Sequence, residues 1–175
     1  MRTIACNRAS CMNAVHELCQ WLNETNVSVA IRESTLMFPL IEGTHLLAIG
    51  VSAGTIALTD LRLLGWIMKK DPASKVLRSL LPFTIGGFIV VFISGGLLFW
   101  AEPAKSYGNI WFRFKLIFLL MAGLNALLFH LGIYQRMDRW DSEMLPPSKA
   151  RMAGAFSLVL WATVIWLGRQ FAYSS

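Results

Sequence analysis

The stretch FPLIEGTHLLAIGVSAGTIALTDLRLLG, residues 38–65, decides the fold. It is long and apolar enough to cross a hydrocarbon layer of ~30 Å as a helix, yet it carries Glu42, His45 and Asp60. Ionisable groups inside a span cost a few kcal/mol each on insertion scales and usually face the bundle interior or a cavity. At 3.6 residues per turn, Glu42 and Asp60 point the same way, and His45 lies about 60° from both. One face of this helix is therefore polar at two levels, roughly 22–27 Å apart at 1.5 Å rise per residue.

Working outward, three more runs share its character, giving spans at about 36–59, 79–100, 110–133 and 152–171. Of the 175 residues, 55% are hydrophobic and 15% charged, against roughly a quarter charged in soluble domains. Continuous apolar runs of this length satisfy their backbone polar groups as helices. The expected fold is all-α, an integral membrane four-helix up-and-down bundle over residues 36–175. Residues 1–35 form an N-terminal segment. Within it HELCQWLNETNVSVAIRES places Leu18, Trp21 and Leu22 on one face, as a short amphipathic helix at a membrane interface would. Residues 1–11 read as an extension, and Met12 is an alternative start. Cys6, Cys11 and Cys19 all lie in this segment, with no metal-ligand spacing and no disulfide framework.

The sixteen Lys and Arg give a net charge of +6. Their distribution is topological and argues against nucleic acid as partner. Arg62, Lys69, Lys70, Lys75 and Arg78 fall between spans one and two, and Arg136, Arg139, Lys149 and Arg151 between spans three and four. The connection between spans two and three holds only Lys105 and Arg113. The positive-inside rule makes the two rich loops cytoplasmic and puts both termini on the periplasmic side of a bacterial inner membrane. Trp66 and Trp140 at one level, and Trp100, Trp111 and Trp166 at the other, fit aromatic belts.

The third span repeats the polar pattern of the first, with Lys115 and His130 fifteen residues apart on one face. In an up-and-down bundle spans one and three run the same way. Glu42 and His45 are then expected near Lys115 and Arg169 as an outer pocket, and Asp60 near His130 and Arg62 as an inner polar cluster. Opposite charges in contact would offset the burial. Gly50 and Gly54, with Gly86, Gly87, Gly95 and Gly96, are expected to let helices approach closely.

A b-type haem through axial imidazoles is compatible with a four-helix membrane bundle. His45 and His130 differ in depth by ~16 Å along the axis, too far to share one iron. His45 alone, or with Met121, stays open as a ligand, with Lys115 and Arg169 toward the propionates. No phosphate loop, no zinc spacing and no nucleophile beside a base is present. Ser52, Ser94 and Ser157 read as packing residues. No metal site and no catalytic residue is expected.

The segments EGTH, DLRLLG, SGGLLF, YGNIWFRFKL, GLNALLFHLGIY, RMAGAFSLVLW and GRQFAY resemble a family of small uncharacterised four-helix bacterial membrane proteins, over about residues 12–173. The resemblance implies the topology above and no activity. A more distant similarity is to copper-resistance D-type membrane proteins and b-type cytochromes. Three functions remain open: an accessory or ligand-binding membrane subunit with an outer polar pocket, a redox protein holding haem or quinone, and a proton-coupled carrier acting as an oligomer among membrane lipids.

Overall fold

A computed structural model describes residues 17–135, 141 and 145–174. The extension at 1–11, the alternative start at Met12, and Cys6, Cys11, Arg136, Arg139 and Trp140 lie outside them. The described residues are helical, with no strand among them. They comprise α1 (17–23), α2 (Asn26–Glu33), α3 (Met37–Leu63), α4 (Ala73–Ala101), α5 (Pro103–Gly108), α6 (Ile110–Leu128), a π turn (Phe129–Ile133) and α7 (Ser148–Tyr173). Four of these, α3, α4, α6 with its π turn, and α7, are long and apolar enough to cross a membrane. The chain is a multi-pass membrane protein.

Helix ends follow local chemistry. The Ser34 hydroxyl accepts from Met37 N at 3.1 Å at the start of α3. Pro39 sits in the first turn of α3, where its missing N–H removes no bond. Gly65, at φ 73°, turns the chain away after α3, a conformation in which a side chain would be strained. Asp141 caps α4 from a distant loop: its carboxylate accepts from Ser74 N at 2.7 Å and from Ser74 Oγ at 2.6 Å. Asn109 caps α6 by accepting from Trp111 N at 2.9 Å. Helices α3, α4 and α7 run a few residues past the expected spans into polar sequence, and α6 with its π turn keeps the expected bounds.

The amphipathic segment before the bundle is two helices. Thr25 interrupts it, accepting from Ser28 N at 3.4 Å as an N-cap. The second piece, α2, is held to the end of α4: Ser28 Oγ donates to Ala101 O at 3.0 Å, and Trp100 Nε1 donates to Thr25 Oγ1 at 3.1 Å. Leu18 and Trp21 on α1 stay exposed.

Large apolar residues lie on both sides of the packing, with Leu63, Leu160 and Leu167 buried inside. Small and polar residues are inside, among them Ala48, Ser52, Asp60, Ser94, Ala122 and Ser157, whereas Leu47, Phe92, Leu120 and Val159 are well exposed. Lipid covers large apolar side chains at no cost, so helices associate through small residues that let backbones approach. An added Cβ at Gly87 would strike the Ser52 hydroxyl and stand 3.3 Å from Ala48 O. One at Gly154 would stand 3.1 Å from Asp60 O. These contacts join α4 to α3 and α7 to α3. The Gly50 and Gly54 stripe, expected to pack, meets nothing within 4 Å, as do Gly86 and Gly96. The polar face of α3 is packed at His45, Ser52 and Asp60 but not at Glu42, and the glycine face is turned outward.

The neighbour order that results is α4, α3, α7, α6. Helix α3 packs along α4 and against α7, and α6 packs along α7. Helices α3 and α6 are not side-by-side neighbours, contrary to the expectation that they meet along matched polar rungs. Helices α4 and α6 touch through rings near the end that carries α5, where Phe99 and Phe112 stack at 5.8 Å.

Candidate functional site

The first and third spans each bring a polar pair into the bundle, at two levels with different surroundings. The first level lies toward the chain termini. His45 of α3 projects at α4, with its Nδ1 2.8 Å from Ser94 Oγ. Ser94 donates its single proton to Val90 O at 2.5 Å. With that proton committed to Val90 O, Ser94 Oγ keeps lone pairs that can accept from Nδ1–H of His45. The imidazole lies flat in the space that Gly95 leaves open: a Cβ there would come within 3.0 Å of Cε1. Lys115 of α6 is housed the same way on α7. Its Nζ lies 3.5 Å from the place a Cβ would take at Gly168, within electrostatic reach of His45.

The other two expected members of this pocket are elsewhere. Glu42 is exposed on α3 and forms no ion pair among the described residues. Arg169 is exposed and folds onto its own helix, with Nη2 donating to Tyr173 Oη at 2.7 Å and its guanidinium 4.5 Å over that ring. The reason is the neighbour order: with α7 between α3 and α6, residues on the outer surfaces of α3 and α7 cannot converge. The pair expected for haem propionates, Lys115 and Arg169, is therefore not assembled, and Met121 is exposed on α6.

The second level lies toward the loops that join α3 to α4 and α6 to α7. Asp60 is 5% exposed. Ser157 of α7 approaches its carboxyl, while Oδ2 is buried with no hydrogen-bond partner among the described residues. Here the four helices stand apart and leave a cavity of about 230 Å³. Asp60 and Thr59 line it from α3, Thr84 and Phe88 from α4, Ser157 and Trp161 from α7. The α6 wall holds Asn125, whose Nδ2 donates to Ala153 O at 3.2 Å and ties α6 to α7 at the cavity edge.

Immediately beyond Asn125 the α6 hydrogen-bond ladder widens to the π turn, where Tyr134 N bonds Phe129 O. The extra residue in the turn re-aims His130, which lines the cavity and stacks on Tyr134 at 4.6 Å and 11°. Such turns occur often at functional sites. His130 and Asp60 share the cavity without bonding, so the expected ion pair gives way to two groups facing one space. Arg62, also expected in this cluster, is turned away. It is 1% exposed, and its Nε and Nη2 donate to Asp71 O at 3.2 and 2.8 Å, pinning the loop that follows α3.

Among the described residues no three His, Cys, Asp or Glu side chains form a metal-binding group.

Residues 34–174 match the family of unknown function DUF6644. The chain belongs to this family. The match begins just before α3 and ends with α7, so the DUF6644 region takes in both polar levels and leaves out α1 and α2. No curated protein and no solved structure matches the chain. The distant likeness to copper-resistance D-type proteins and b-type cytochromes gains no support from these comparisons.

Sequence reasoning did not single out Phe88, Thr84 or Trp161, and it read Ser157 as packing only. One signal was available for α7: Gly154, Ser157 and Trp161 fall at i, i+3 and i+7, one face led by a glycine. Nothing in α4 marks Phe88 apart from its other aromatic residues.

Proposed function

We propose that this protein is a ligand-binding membrane protein whose seat is the cavity around Asp60, holding the polar head of a small amphipathic molecule. The reading is supported above all by a buried carboxylate oxygen without a partner among the described residues, set in a cavity lined by all four spans. An unsatisfied buried polar atom costs about 1–3 kcal/mol. A chain keeps that penalty when something else supplies the missing bond.

Size narrows the occupant. Pockets that enclose a whole drug-sized ligand run ~300–1,000 Å³. A cavity of about 230 Å³ takes a head group and its first few carbons. The remainder of the molecule then extends through the side on which α4 and α6 stand apart, into lipid. In this reading the basic loops face the cytoplasm, and the cavity lies in the half of the membrane nearer to them. His45 and Lys115, each filling the space above a glycine, serve the packing of the other half.

Ala126 is exposed on α6 and lines the cavity, so Ala126→Phe fills the space with the least disturbance of the bundle. Native mass spectrometry of protein released from its own membranes is expected to show a bound small molecule on the wild type that Ala126→Phe loses. Identical adducts on both proteins would count against the cavity as the seat.

A further inference from the structure

The head group that completes this cavity is open to identification from its walls, and the inference rests on the ligand-binding reading just given. One carboxylate enters the cavity, with Oδ2 buried and unpartnered among the described residues. Among the described residues no Lys or Arg lines the space, and His130 and Tyr134 are the other ionisable wall residues. Two aromatic side chains, Phe88 and Trp161, stand opposite α6 with ring centroids 5.3 Å apart and tilted at 45°. Phe129 and Tyr134 close the α6 side, their rings 6.5 Å apart.

Aromatic faces carry negative charge density and attract a cation within about 6 Å of the ring centre, more strongly where water is excluded. A carboxylate oxygen lacking a donor asks for an N–H or O–H, and a charged donor gives the stronger bond. Together they describe the surroundings of a protonated amine. A carboxylate or phosphate head group would meet a like charge at Asp60, with no Lys or Arg among the described wall residues to offset it. A quaternary ammonium would satisfy the rings but leave Oδ2 without its hydrogen bond. The outer level differs on each count, since the cation there is the protein's own Lys115.

We infer that the cavity binds the protonated head of a lipophilic primary or secondary amine. Its ammonium donates to Asp60 Oδ2 and lies against Phe88 and Trp161, and its alkyl portion leaves between α4 and α6. Entry is from the lipid, because the loop end of the bundle carries Lys69, Lys70, Lys75 and Arg78, which repel a cation arriving from that side.

The experiment is isothermal titration of the full chain in lipid nanodiscs, with empty nanodiscs subtracted, using octylammonium and octanol as probes. The expected result is saturable octylammonium binding that is weakened at least tenfold by Asp60→Asn and untouched by Asp71→Asn in the loop. Octanol binding is expected to be at least tenfold weaker than that of octylammonium and indifferent to Asp60→Asn. Phe88→Leu, which keeps the bulk and removes the ring face, is expected to weaken the ammonium severalfold and leave octanol unchanged. Equal affinity for both probes, unaffected by Asp60→Asn but lost in Ala126→Phe, would overturn the amine assignment while leaving the cavity as a seat. Absence of saturable binding by either probe would overturn the amine assignment, and identical native adducts on wild type and Ala126→Phe would remove the seat as well.

Discussion

The two polar levels of this bundle place similar residues in opposite circumstances. Near the chain termini, His45 and Lys115 each lie over a glycine of the neighbouring helix, and the imidazole has a hydroxyl partner. At this end rings pack in pairs, Phe112 with Phe99 at 5.8 Å and Phe171 at 5.6 Å and Trp111 with Trp166 at 5.8 Å. An open apolar groove of about 290 Å³ runs between α3 and α4 past Ser94. Near the loops, α6 departs from α-geometry, the rings line a void, and Asp60 faces it with one oxygen unpaired among the described residues. A polar residue whose shape is matched by a missing side chain opposite is part of the packing. One that faces open space is available to a ligand.

The largest expected effect that sharpens this contrast comes from the aromatic seam. Phe112→Ala removes ring contacts to α4 and α7 together and is expected to destabilise by about 3 kcal/mol. Phe88→Ala, beside the void, is expected to cost about half as much, because its cavity side has no packed neighbour to lose. Thermal unfolding in detergent compares them, and equal losses would break the distinction. Next in size is Gly95→Ala, whose Cβ displaces the His45 ring; the expected cost is about 2 kcal/mol. Asp60→Leu is expected to do the reverse, raising stability by about 1–2 kcal/mol by removing an unsatisfied buried group at similar volume, while abolishing octylammonium binding. A destabilised Asp60→Leu with unchanged binding would show that the carboxylate is structural. The smallest effect is assigned to Gly168→Ala. Its Cβ would make ordinary contact at 3.5 Å with the end of a flexible lysine, so the change is expected to stay within about 0.5 kcal/mol.

The four spans were legible in the sequence, since length and composition carry that information. Which helices become neighbours was not. Adjacency is decided by close approaches at single positions, Gly87 on Ser52 and Gly154 on the Asp60 carbonyl, and a hydropathy profile gives these no more weight than the outward-facing Gly50 and Gly54. The expectation that buried charges pair with each other followed a sound energetic rule but assumed that α3 and α6 touch. With α7 between them, His45 finds a serine on α4, Asp60 meets a serine on α7, and Lys115 rests on a glycine. The π turn that aims His130 has no sequence signature at all. Arg62 shows a further limit, because a guanidinium two residues beyond Asp60 points nearly opposite on a helix and serves the loop.

The most direct test of the central claim, that Asp60 faces a ligand seat shared by four helices, is a density map of the protein in lipid nanodiscs prepared from its own membranes. The account predicts density not belonging to the chain within hydrogen-bonding distance of the Asp60 carboxylate, running between α4 and α6 toward the lipid. A map in which α6 closes against α4 and His130 bonds Asp60 directly would contradict it.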